Sequence, residues 1–268
     1  MLSIVRYFLL ICKKDKILFS LFLLNILSFL VSLFFGWTMI DEIKQAQIAY
    51  ASASMRFISV FGLIVFISFF ISKFFSNKEL EFMCSLSKNR YQFILSFVLC
   101  FVIISFLLVL INLSTMLYFY FTYQNFNISG FVMWSVSLWF ELVLISIFTI
   151  FLSLGFANPA ICIIISICFY LVSRSIGFIT SAIYNSGSTD LSTSLLFLPS
   201  NHTLSSISVY ASKIIGVFFP RLDLITNSSW LMYDNFDVKV LCLVLFQILF
   251  YSALIILLSI KDFNRKQF

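Results

Sequence analysis

The feature that most constrains this chain is a series of long, continuous apolar runs. Hydrophobic residues make up 62% of its 268 residues and charged residues only 10%, against about 25% charged in a typical soluble domain. An apolar run of about 20 residues can cross the hydrocarbon core of a bilayer as a helix. The runs lack the alternation of apolar and polar residues that is typical of strands in outer-membrane barrels. The sequence therefore predicts an all-α membrane protein.

Six transmembrane helices account for these runs. No repeat at a fixed period and no low-complexity linker divides the chain, so we expect one transmembrane domain over residues 1–268. The predicted spans are about 17–37, 57–72, 92–120, 131–154, 160–180 and 240–260.

The intervals around the predicted spans differ in length and polarity. Residues 1–14 are too few to cross the membrane and end in bases, which predicts an interfacial helix on the cytoplasmic side. The interval 41–56 is polar and is placed outside the membrane. Gly155 and Pro159 predict a tight cytoplasmic hairpin. The least hydrophobic long stretch, 181–239, is predicted to be a large extracytoplasmic segment with interfacial or re-entrant helices.

The formal net charge of +6 is explained by topology. Lys and Arg cluster at the ends of the spans, and short basic loops are retained in the cytoplasm. We expect a multi-pass protein of the bacterial cell inner (cytoplasmic) membrane with both termini in the cytoplasm and no nucleic-acid partner. The cysteines show no CxxC spacing and are interpreted as reduced packing residues: Cys12, Cys84, Cys100, Cys162, Cys168 and Cys242.

Motifs for catalysis or cofactor binding are missing from the sequence. None of the seven glycines belongs to a GxxxxGK[ST] phosphate-binding loop. His202 is the one histidine, and there is no HExxH motif or Cys/His cluster to hold a metal ion. We expect no catalytic residue, no metal site and no cofactor in this chain.

The interval between the second and third predicted spans, KFFSNKELEFMCSLSKNRY, is rich in charge. As a helix, residues 79–87 place Leu80, Met83 and Cys84 on one face and Glu79 and Glu81 on others. A short amphipathic helix of this kind lies at the lipid interface or docks into a partner. The simpler alternative is a basic loop that only fixes the topology.

The sequence KELEFMCSLSKNRYQFILS resembles the loop between the second and third spans of ABC type-2 transporter permeases. There an acidic, apolar helix is followed by a small or proline-containing turn, an Arg and an aromatic residue. Here Ser87, Lys88 and Asn89 replace the commoner proline-containing turn. The resemblance implies that residues 78–88 are the coupling helix, which sits in a cleft of an ATP-binding subunit. It implies contacts with that subunit for Lys78, Glu79, Glu81, Phe82, Met83, Ser85, Leu86, Lys88 and Arg90.

The family includes permeases of drug, sodium, lipid-linked and nitrous-oxide-reductase-maturation exporters. The resemblance implies a permease subunit of an ATP-driven exporter, in a homo- or heterodimer with a second permease protomer. ATP and Mg²⁺ would be bound by the separate ATP-binding subunit. The alternative is a membrane assembly or scaffold subunit that couples an ATPase to maturation of an extracytoplasmic protein. An ion-coupled secondary carrier, which needs several intramembrane charges, is a third possibility.

Two charged residues lie inside predicted spans. Glu141 is fourteen residues before Gly155 and Arg174 is fifteen after Pro159, so both lie about 21–22 Å from the same hairpin at 1.5 Å per residue. Ionisable groups in a bilayer are costly unless paired or solvated. We predict an interhelical ion pair between Glu141 and Arg174. Alternatively, Glu141 faces a substrate route between protomers or lies at the external interface.

Overall fold

The structure is a computed structural model of the 268-residue chain. It describes residues 2–38, 43–76, 90–123, 128–156, 158–188, 220–232 and 238–265. These residues are almost entirely helical, without a strand among them. Six of the helices are long and apolar enough to cross a membrane. The prediction of an all-α protein with six membrane-spanning helices is confirmed at this level.

The described helices are numbered in chain order. In chain order they are α1 (Leu2–Lys14), α2 (Lys16–Thr38), α3 (Ile43–Ser76), α4 (Arg90–Thr122), α5 (Ile128–Gly155), α6 (Pro159–Ser188), a 3-10 turn (Leu222–Leu224), α7 (Ser229–Met232) and α8 (Val238–Arg265). The candidate spans are α2 to α6 and α8. The interfacial position predicted for residues 1–14, which correspond to α1, stays a prediction.

Helix α5 is the centre of the bundle. It packs against α3, α4, α6, α7 and α8. The buried share of its apolar stretch is 67%, against 22% in α2 and 28% in α6 and α8. A polar group on the inward face of α5 is therefore removed from both water and lipid.

Helices α2 and α3 pack closely through small and polar residues. The buried face of α2 consists of Leu21, Asn25, Ser28, Ser32 and Gly36, while its phenylalanines are largely exposed. The Ser28 hydroxyl donates to the Ser54 Oγ atom at 2.6 Å, and a Cβ atom at Gly36 would lie 1.9 Å from the Gln47 side chain. Small residues allow this close approach in lipid, where apolar surface alone does not drive helices together.

The helix that contains the second predicted span is longer than that span. Helix α3 runs unbroken from Ile43 to Ser76, about 51 Å at 1.5 Å per residue. Ala51 and Met55 are fully buried, at the spacing that places them on one helix face. Small residues of the interval 41–56 supply a packing face, and no proline interrupts the helix there. The predicted span 57–72 lies within this helix, and the placement of residues 41–56 outside the membrane stays a prediction.

The turn between α5 and α6 lies where the sequence places it. Helix α5 ends at Gly155 and α6 begins at Pro159. The Ala160 backbone N–H donates to the Asn158 Oδ1 atom at 3.0 Å, so Asn158 caps the helix that the proline starts. This turn fixes α5 and α6 as antiparallel neighbours.

At one end of the bundle, α1 packs against α3 and α4. The Phe8 ring stacks on Phe97 of α4 with centroids 4.2 Å apart and meets Phe74 of α3 edge-on at 5.6 Å. The Lys73 Nζ atom lies 3.5 Å from the Asp15 Oδ1 atom. The pKa of the buried Cys12 thiol is raised by its hydrogen bond with the Cys100 thiol and by burial. Helix α1 is thus fixed to the bundle by aromatic packing.

Candidate functional site

The residues 220–232, which precede α8, enter the bundle and meet its buried charges. Leu222 and Ile225 are fully buried, and so, almost entirely, is Leu231. A Cβ atom on Gly130 of α5 would lie 1.9 Å from the Trp230 carbonyl oxygen, so that glycine allows the segment to approach the helix. The segment contacts α3, α5, α6 and α8.

Glu141 of α5 is fully buried at the centre of this contact. The Thr226 hydroxyl donates to its Oε2 atom at 2.7 Å. Its Oε1 atom is buried without a hydrogen-bond partner among the described residues. A buried carboxylate with one unpaired oxygen is costly, and such a group in a membrane domain marks a functional or structural site.

Arg174 of α6 binds the same segment. Its Nη1 atom donates to the carbonyl oxygens of Leu222 and Ile225, the latter at 2.8 Å, and lies 3.0 Å from the Thr226 Oγ1 atom. The guanidinium is thus satisfied mainly by backbone carbonyls. Carbonyl dipoles hold a cation without adding a negative charge.

The predicted ion pair between Glu141 and Arg174 is not a direct contact. Both side chains reach Thr226, so they lie at the same level of the bundle, and the threonine hydroxyl lies between them. The ion pairs within 4.0 Å in the described part of the chain are Lys73–Asp15 and Arg221–Asp223. Pairing of the two charges in function stays a prediction.

Arg56 of α3 is a third charged member that sequence reasoning missed. It is 9% exposed, and its Nη1 atom donates to the Thr226 carbonyl oxygen at 2.8 Å. Its guanidinium also lies over the Phe57 ring, 5.2 Å from the centroid, a favourable position for a cation. The signal in the sequence was spacing: Arg56 follows the small residue Ser52 by four positions and so shares its helix face.

Thr226 joins these three side chains and has an unusual backbone. Its φ is 55°, in the left-handed region that β-branched residues rarely adopt and that costs of order 1–3 kcal/mol. The conformation directs its carbonyl to Arg56 and its hydroxyl to Glu141. We name Arg56, Glu141, Arg174 and Thr226 the polar clamp.

Further polar atoms near the clamp have no partner. The Tyr170 hydroxyl and the Arg56 Nε atom are buried without one in the described residues, and the Tyr170 ring packs edge-on against Phe57 and Phe61 at 6.4 and 6.0 Å. Two guanidinium groups face one carboxylate, so the clamp carries an excess of positive charge. No group of three or more metal-ligating side chains occurs in the described ranges.

The predicted ATPase-contacting residues lie almost entirely outside the described residues. This applies to Lys78, Glu79, Glu81, Phe82, Met83, Ser85, Leu86 and Lys88. Arg90 is the first residue of α4. The end of α3 and the start of α4, which flank this interval, lie beside α1, because Phe74 and Phe93 both contact the Phe8 ring.

Comparison with known proteins adds no family: the chain matches no family model, no curated protein and no solved structure.

Proposed function

We propose that this chain is the transmembrane permease subunit of an ATP-driven exporter of the ABC type-2 class. The proposal rests on the sequence of residues 78–88, which resembles the coupling helix of that class and lies between α3 and α4. A short amphipathic first helix followed by six apolar helices agrees with the same class. In this proposal the ATP-binding subunit and a second permease protomer are separate chains.

Charge distribution supports a cytoplasmic position for residues 78–88. Basic residues outnumber acidic ones at the end of the bundle where α3 stops and α4 starts, and positive residues favour the cytoplasmic side. The basic residues there are Lys13, Lys14, Lys16, Lys73, Arg90, Lys261 and Arg265, against Asp15 and Asp262.

The proposed mechanism transmits the closure of an ATPase dimer through α3. ATP-driven closure would push residues 78–88. This would tilt α3, which ends before that interval, and α4, which begins after it. Arg56 lies seventeen residues from Lys73 on α3, about 26 Å away at 1.5 Å per residue. A tilt of α3 would therefore move one arm of the polar clamp and release residues 220–232, opening a route outward. ATP hydrolysis itself belongs to the partner chain.

Co-purification tests the proposal. The tagged chain is purified from its native host in mild detergent, beside the variants Glu81→Arg and Glu42→Arg. Glu42→Arg is the matched control, because it makes the same charge reversal in the interval between α2 and α3. We expect an ATP-binding protein with the parent chain and with Glu42→Arg, and its loss with Glu81→Arg. Absence of any ATP-binding protein from all three samples contradicts the proposal.

A specific observation supports an ion-coupled carrier as the second candidate. The sequence offered two intramembrane charges, Glu141 and Arg174, and the structure adds Arg56 with several unpaired polar atoms beside it. Buried ionisable groups of this kind can form an ion pathway. Flux driven by a proton or sodium gradient in vesicles that contain only this chain supports the carrier, and dependence on ATP supports the exporter.

A further inference from the structure

We propose that the groove between α2 and α3 is a binding site for one anionic phospholipid. The acyl chain would lie along the groove, and the phosphate would lie at the lysines where the groove meets the basic end of the bundle. This inference requires only that the chain lies in a membrane, and it is independent of the exporter proposal.

The groove has two cavities that share Ile17. The larger, of about 390 Å³, is apolar apart from Ser20 and is lined by residues that include Leu21, Leu24, Phe57, Phe61 and Val65. Its volume is within the 300–1,000 Å³ of ordinary ligand pockets.

The smaller cavity, of about 250 Å³, connects Ile17 to Lys73 and Asp15 past Phe66, Phe69 and Phe70. Because Ile17 lines both cavities, the groove continues from the charged end of the bundle into its apolar middle. Along α3 it extends from Lys73 to Phe57, about 24 Å at 1.5 Å per residue, which is shorter than a hydrocarbon core of about 30 Å.

The groove faces the bilayer. Helix α2 is the least buried of the candidate spans, and Leu24 and Phe69 on the groove walls are 42% and 47% exposed. Gly62 on α3 brings the two helices close, since a Cβ atom there would lie 1.9 Å from a Leu21 methyl carbon. A linear apolar groove open to lipid suits an acyl chain better than a compact polar solute.

The lysines at the charged end of the groove, called its mouth, favour an anionic head group. In the described part of the chain the acidic group here is Asp15, and the four lysines beside it are exposed: Lys13, Lys14, Lys16 and Lys73. The Lys73–Asp15 pair is long, at 3.5 Å, with the lysine side chain 59% exposed, so it is weak and its lysine is free to bind a phosphate. Basic pockets between transmembrane helices on the cytoplasmic side are typical sites for anionic lipid head groups.

The first test measures lipid preference. The delipidated full chain is titrated with phosphatidylglycerol and with phosphatidylcholine, and bound lipids are counted by native mass spectrometry. We expect one phosphatidylglycerol to bind preferentially, and each lysine at the mouth to contribute about a fivefold preference. The double variant Lys16→Gln/Lys73→Gln should lose most of that preference. Lys261→Gln is the matched control at the same basic end, on α8, and should keep it.

The second test locates the acyl chain. A phosphatidylglycerol with a diazirine in its acyl chain is cross-linked to the protein, and the labelled peptides are mapped. We expect labels within residues 17–24 and 57–65, and their loss when Ser20→Phe fills the groove, with Val65→Phe as a second filling variant if the first does not fold. Labels spread evenly over α6 and α8, or equal loss of preference with Lys261→Gln, would overturn the proposal in favour of diffuse attraction to the basic end.

Discussion

Thr226 brings together side chains of three helices that are far apart in sequence. Its carbonyl accepts from Arg56, 170 residues away, and its hydroxyl donates to Glu141, 85 residues away. Sequence reasoning identified Glu141 and Arg174 because charge inside an apolar run is conspicuous. It could not identify Thr226, because a threonine in a polar stretch has no such contrast and its partners are set by long-range packing.

Replacing Thr226 with valine tests the hydroxyl. Valine keeps the shape but leaves both Glu141 oxygens without a donor, so we expect a loss of about 1–3 kcal/mol in the free energy of unfolding. Thr226→Ser keeps the hydroxyl and should stay within about 0.5 kcal/mol of the parent. Thermal unfolding of the purified variants in one detergent measures both effects, and equal stability of the two variants would contradict the role of the hydroxyl.

Exchanging the charges tests how Arg174 is held. A direct ion pair predicts that Glu141→Arg combined with Arg174→Glu restores a fold lost in either single variant. The structure predicts no restoration, because a carboxylate at position 174 would face the carbonyl oxygens of Leu222 and Ile225. The yield of monodisperse protein in size-exclusion chromatography gives the answer, and recovery in the double variant would favour direct pairing.

The helices show which sequence patterns predict structure in lipid. Long apolar runs predicted all six candidate spans, and the Asn158-Pro159 pair predicted the start of α6, because both signals are local. The length of α3 was not predicted, since its first turns are polar and its burial depends on packing against α2. In α2 the buried face is the small and polar one, so hydrophobicity alone gives no orientation for such a helix.

The close contact between α5 and α7 predicts a difference between two glycine substitutions. Gly130→Ala would place a methyl carbon 1.9 Å from the Trp230 carbonyl oxygen, so the segment must shift, at a cost of about 1–3 kcal/mol. Gly155→Ala meets no atom within 4 Å and should be nearly neutral. Unfolding temperatures of the two variants provide the comparison, and a neutral Gly130→Ala would show that residues 229–232 are not packed against α5.

Among the described residues, the bundle has one end rich in Lys and Arg and an opposite end with fewer of them, which predicts its orientation. The substitutions Lys44→Cys and Lys14→Cys are made in a cysteine-free variant, and sealed, right-side-out cells are labelled. Lys44→Cys should react with a membrane-impermeant maleimide and Lys14→Cys should not. Both positions are exposed, so protein burial does not explain a difference. The reverse labelling pattern would place residues 78–88 outside the cell and exclude their contact with a cytoplasmic ATPase.

We propose that residues 78–88 contact an ATP-binding subunit. The most direct measurement replaces Phe82 with a photoreactive benzoylphenylalanine in the native host, with Phe121, 80% exposed at the other end of the bundle, as the control position. We predict a cross-link from position 82 to a protein that binds ATP, and none to that protein from position 121. A folded, membrane-inserted chain that forms no such cross-link at position 82 would contradict the account.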